Sequence, residues 1–63
     1  MRMDEILKEW YAGDVKRLVI TVRDGKGEKR IKGEEITEVR KDGFYLRDAF
    51  IPAHRIIRIE KVF

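Results

Sequence analysis

His54 is the only imidazole in the chain, and it stands in the run Ile51-Pro52-Ala53-His54-Arg55-Ile56, where a guanidinium follows it directly. An imidazole exchanges its proton near neutral pH, and a guanidinium offers a planar fork of donors that matches a carboxylate or a phosphate. Two chemistries are therefore open to this segment: acid-base work by His54 with a nearby lysine or glutamate, and capture of an anion. The remaining inventory disfavours catalysis. The chain has no Ser and no Cys to act as nucleophile, only Thr21 and Thr37 carry aliphatic hydroxyls, and His54 has no second imidazole as partner. These are the parts from which nucleophilic sites are usually assembled. A binding protein is expected rather than an enzyme. No cofactor is expected either, and Asp24-Gly25-Lys26-Gly27-Glu28-Lys29 is not a Walker loop, since it lacks the required spacing and does not lead into a helix. A thiolate zinc site is excluded by the missing cysteines, and the lone histidine cannot anchor a metal without several carboxylates converging on it.

Charged residues make up 43% of the chain, and the net charge of +3 favours polyanionic partners over cationic ones. The acidic residues gather in the N-terminal segment and at Glu34, Glu35 and Glu38, whereas Arg23, Lys26, Lys41, Arg55 and Arg58 belong to a basic set spread through the strand-like region. Asn, Gln, Ser and Cys are all absent, a bias that resembles hyperthermophile usage. No apolar run approaches the ~20 residues needed to cross a bilayer, and the N-terminus has no secretory signal, so a cytoplasmic location away from membranes is expected.

These side chains must be positioned by very little structure. A chain of this size makes one domain, residues 1–63, and buries roughly 60% of the surface that its unfolded state exposes. With disulfides and metals excluded, regular structure or a homodimer must compensate for the small core. Met3, Ile6, Leu7, Trp10 and Tyr11 recur at helical spacing behind the early acids Asp4 and Glu5, which complement the helix dipole, and Gly13 is a normal stop. From Val15 to Arg23 the pattern alternates, with Leu18, Ile20 and Val22 on one face and Arg17, Val19, Thr21 and Arg23 on the other, as in a strand. Asp24-Gly25-Lys26-Gly27 should reverse the chain into a second strand through Lys32. A third strand is expected over Ile36 to Arg40 and a fourth over Phe44 to Arg47, joined by the turn Lys41-Asp42-Gly43. A last strand should run from Ile56 to Val62, with Ile57 and Ile59 alternating against Arg58 and Glu60. Pro52 has no amide hydrogen for a ladder, so Pro52-Ala53-His54 reads as a bend. The sum is an α+β fold: one N-terminal helix packed on a curved, mainly antiparallel sheet of four or five strands that approaches a barrel.

The segment from Tyr45 to Ile59 resembles the closing motif of an archaeal family, the RNA cyclic group end recognition domain. The resemblance rests on the aromatic Phe50, the core Ile51-Pro52-Ala53-His54-Arg55-Ile56 and the following Ile59. It extends back over the hairpins, where the family carries His-Arg-Gly at the end of its first strand; here Arg23 matches, while Val22 and Asp24 depart. The resemblance implies recognition of RNA ends, including ends that bear a cyclic phosphate. Such a phosphodiester could be held by the guanidinium forks of Arg23 and Arg55 with His54 as a donor, while Tyr45 or Phe50 stacks on an unpaired base. Lys26, Lys41 and Arg58 would add unspecific attraction.

Each assignment has a structural alternative. His54 could fix the bend by bonding a backbone carbonyl. Arg23 and Arg55 could join ion pairs with Asp24, Asp48 or Glu60. Among Phe44, Tyr45 and Phe50, at least one must fill the interior. For the whole chain, the alternative to an RNA-binding module is a protein-interaction or homodimerising module that pairs through a sheet edge.

Overall fold

The computed structural model describes residues 2–62. The chain opens with helix α1 (Arg2–Ala12). Met3 and Ile6 are buried on its inner face, and Leu7 and Trp10 are packed against the same core. Tyr11, which the helical spacing groups with them, stays 81% exposed. A helix this short is marginal alone and depends on its buried face. The ion pair between Lys61 Nζ and Glu9 Oε1, 2.8 Å apart, ties it to the last strand.

Strands β1 (Leu18–Asp24), β2 (Gly27–Lys32), β3 (Glu38–Arg40), β4 (Gly43–Tyr45), β5 (Phe50–Pro52) and β6 (Ile56–Lys61) follow. They form two antiparallel sheets, ordered β2-β1-β6 and β3-β4-β5. The fold is α+β with one N-terminal helix, as expected, but the single curved sheet of four or five strands is replaced by two three-stranded sheets, and no barrel closes among the described residues. The reason lies in short 3-10 turns at the junctions. At Gly33–Glu35 the Ile36 amide bonds the Gly33 carbonyl, and at Ala53–Arg55 the Ile56 amide bonds the Ala53 carbonyl. Each bond turns the chain locally where a continuous strand would have carried the ladder onward. Gly33 is essential to the first junction, because a Cβ there would overlap the Val15 carbonyl oxygen and crowd that of Leu18.

Several boundaries differ from the pattern reading. Val15–Arg17 is a 3-10 turn rather than the start of β1. Pro52, expected in a bend with Ala53 and His54, is the last residue of strand β5, and the turn begins at Ala53. Within its sheet β5 pairs only with β4, with Pro52 opposite Gly43, so an edge position accommodates the missing amide hydrogen. In β6, Val22 pairs with Ile56 and Thr21 with Arg58, so Ile57 is an extra residue in a bulge and does not share a regular face with Ile59.

The core joins both sheets and the helix. Ile6, Ile20, Ile31, Val22 and Phe44 are at most 1% exposed. Leu18, Ile20 and Val22 supply the inner face of β1, as the alternation required. Phe44 provides the aromatic filling, which leaves Tyr45 outside at 38% exposure and Phe50 half-buried.

Candidate anion-binding site

The far end of the β2-β1-β6 sheet holds an open concavity of about 560 Å³, lined by Arg23, Gly25, His54, Arg55, Ile56 and Ile57. Three short-range features build it. The β1–β2 connection is a two-residue turn, since Asp24 pairs directly with Gly27. Gly25 takes φ +61°, as the first central residue of a type II′ hairpin turn does. The bulge at Ile57 turns that residue out of the ladder and into the wall, a frequent use of bulges beside binding sites. Finally, the 3-10 turn Ala53–Arg55 presents His54 and Arg55 together.

That turn is pinned from two sides. The Ala53 amide donates to the Asp42 carbonyl at 2.7 Å. Arg55 reaches across to the end of β1, where Nε and Nη2 donate to the Arg23 carbonyl at 3.0 and 2.7 Å. Its Nη2 also lies 3.8 Å from Asp24 Oδ1. Arg55 therefore acts first as a clamp that holds the His54 turn against β1. Two N–H groups on Nη1 remain outside these bonds. The side chains of Arg23 and His54 are exposed and make no hydrogen bond or ion pair among the described residues. The alternative in which His54 locks the bend through a backbone carbonyl has no such bond behind it.

The other residues singled out from the sequence lie elsewhere. Tyr45 pairs with Phe50 across β4 and β5, with ring centroids 4.7 Å apart and planes inclined at 49°, and does not line the concavity. Lys26 stands exposed at the tip of the hairpin, next to Gly25. Lys41 borders a different groove, between α1 and β3, with Trp10 and Tyr11. In the same groove Arg40 Nε donates to Glu38 Oε2 at 3.0 Å; that bond, and the carboxylate charge behind it, raise the arginine pKa. Arg58 lies on the outer face of β6, with Nε 3.4 Å from Glu60 Oε1. Sequence reasoning missed Gly25 and Ile57 as wall residues. The apolar doublet Ile56-Ile57, which breaks the alternation of β6, was the readable sign of the bulge.

Among the described residues, no group of three or more His, Asp or Glu side chains is placed to hold a metal ion. No helix among them is long and apolar enough to cross a membrane. The chain matches no protein-family model, no curated protein and no solved structure.

Proposed function

We propose that this protein is a non-catalytic RNA-binding module that holds the terminal phosphate of an RNA strand, including a cyclic one, in the concavity at the end of β1. The observation that carries the reading is the convergence of Arg23, His54 and Arg55, 32 residues apart in sequence at the extremes, on one open concavity with the imidazole exposed. A cyclic phosphodiester carries one negative charge and outward oxygens. Arg23 supplies a free fork, His54 an N–H donor and Arg55 the Nη1 edge that its clamp leaves over, and charge-assisted bonds of this kind are the strong ones. The half-buried Ile57 offers an apolar wall for the sugar or base. The resemblance of Phe50 to Ile59 to the end-recognition family agrees with this use of the site.

The test is a binding titration with short single-stranded RNAs that differ only at the end: cyclic phosphate, open phosphate or hydroxyl. Arg23→Ala and His54→Ala should weaken binding of the phosphate-bearing ends and leave the hydroxyl end little changed. Equal affinity of wild type and both variants for all three ends would remove the end-recognition reading.

A further inference from the structure

Outside the concavity, the strongest unexplained feature is on the outer face of the β2-β1-β6 sheet. Thr21 is at the centre of β1, directly opposite Arg30 on β2 and Arg58 on β6. Residues paired in this way share a face, and both arginines are exposed, so this face looks outward. Glu60, on the same face opposite Val19, draws the two arginines together: Arg30 Nη2 lies 4.0 Å and Arg58 Nε 3.4 Å from the same oxygen, Oε1. In the middle of this group Thr21 is 1% exposed, and its hydroxyl has no hydrogen-bond partner among the described residues.

Two guanidinium groups that share one carboxylate oxygen, on the strands flanking Thr21, offer more donors than that carboxylate uses. The ion pairs themselves explain little, because exposed pairs of this kind contribute little to stability. A buried hydroxyl without a partner is an exception that calls for a reason. The face as a whole is cationic: Arg23, Arg30, Lys32 and Arg58 stand on it against Glu28 and Glu60. It also runs into the concavity. Arg23 follows Thr21 by two residues on the same side of β1, roughly 6.6 Å along the strand, and is itself part of the concavity wall.

We infer that Arg30, Arg58 and Thr21 form a second phosphate seat, which takes an internal phosphodiester of a single-stranded RNA whose terminal phosphate occupies the concavity, with Glu60 as the internal competitor that the strand displaces. The inference rests on the RNA-end reading above and extends it: the strand leaves the concavity across β1, over the sheet face, rather than into solvent. A phosphate in the seat accepts from both guanidinium groups, and Thr21 Oγ1, buried in the free protein, becomes a donor to it once the side chains that cover the hydroxyl shift. Displacement costs little, because the pairs it breaks are exposed.

The experiment compares two ligands: a single nucleoside bearing the terminal cyclic phosphate, which reaches only the concavity, and the same end on a strand several nucleotides longer. Arg30→Ala/Arg58→Ala should lower the short ligand's affinity no more than the charge-matched control below does. For the long strand it should lower affinity about fivefold at 0.1 M salt and reduce the slope of log K against log salt by about 0.7, the effect of losing one phosphate contact on a single strand. Thr21→Val should weaken the long strand alone, and Glu60→Gln should tighten it. Lys8→Ala/Lys16→Ala, which removes the same charge from outside this face, is the control. A long-strand loss no greater than the control's, or unchanged affinity in Glu60→Gln, overturns the seat. If Arg23→Ala and His54→Ala change nothing while Arg30→Ala/Arg58→Ala still weakens the long strand, the end pocket fails and the cationic face stands alone.

Discussion

The two sheets have the same number of strands and the same antiparallel sense, yet they do different work. The strands of β2-β1-β6 are six, seven and six residues long, whereas each strand of β3-β4-β5 has three. Length gives the first sheet enough outer face to align charges in register, and its hairpin end and bulge to shape a concavity. The short sheet contributes mainly inward, through Val39, Phe44 and Ile51, with the Tyr45–Phe50 pair on its flank. The lesson is that in so small a domain the interior is shared while the accessible chemistry is concentrated on one sheet.

Interference at the joint between the sheets should have the largest effect. Gly33→Ala places a methyl group against the Val15 carbonyl, a backbone atom that cannot swing aside. The expected cost is about 5 kcal/mol, comparable to the whole stability of a domain of this size. Urea denaturation checks it, and a variant that folds with near wild-type stability would show that the junction can relax. Next comes Phe44→Ala, which empties the only fully buried aromatic position of the short sheet and should cost about 4 kcal/mol. Because the core is common, amide exchange in β1 should accelerate along with that in β4. Protection of β1 unchanged from wild type would separate the sheets into independent units. The smallest effect should come from the outer face of the long sheet, where Thr21→Val exchanges a partnerless buried hydroxyl for a methyl group and should raise stability by about 1 kcal/mol. The same change should weaken binding of a long RNA strand, so stability and affinity move in opposite directions. A loss of stability would mean that the hydroxyl is bonded in the free protein.

Much of the fold was legible because its signals are local. The helix stop at Gly13, the alternation of Leu18, Ile20 and Val22, and the reversal at Asp24-Gly25-Lys26-Gly27 each depend on neighbouring residues and reappear in the structure. The misreadings share a different cause. Pro52 argued against a strand because a ladder interior needs its amide hydrogen, and only the sheet order shows that β5 lies at an edge where none is needed. Gly33 carries no local pattern that marks its role, which is to let two carbonyl oxygens approach from fifteen or more residues earlier in the chain.

The candidate site divides the same way. His54 and Arg55 drew attention as a rare imidazole beside a guanidinium, and Arg23 through the resemblance of the strand end. Residue types alone did not indicate that Arg55 would commit Nε and Nη2 to the Arg23 carbonyl, because a hydrogen bond between residues 32 apart depends on where two strands end in space. The meeting of Arg30 and Arg58 at Glu60, on the strands either side of Thr21, was equally invisible, since it depends on pairing on both sides of β1 and on the register of β6. From its order of residues alone, this chain determined its helix, most of its strands, its two hairpin turns and the inner face of β1, all of which follow from interactions a few residues in range. Tertiary structure decided how many sheets those elements make and which cations face one another, because strand pairing and side-chain convergence are settled between distant parts of the chain by shared burial and by the few hydrogen bonds that close each junction.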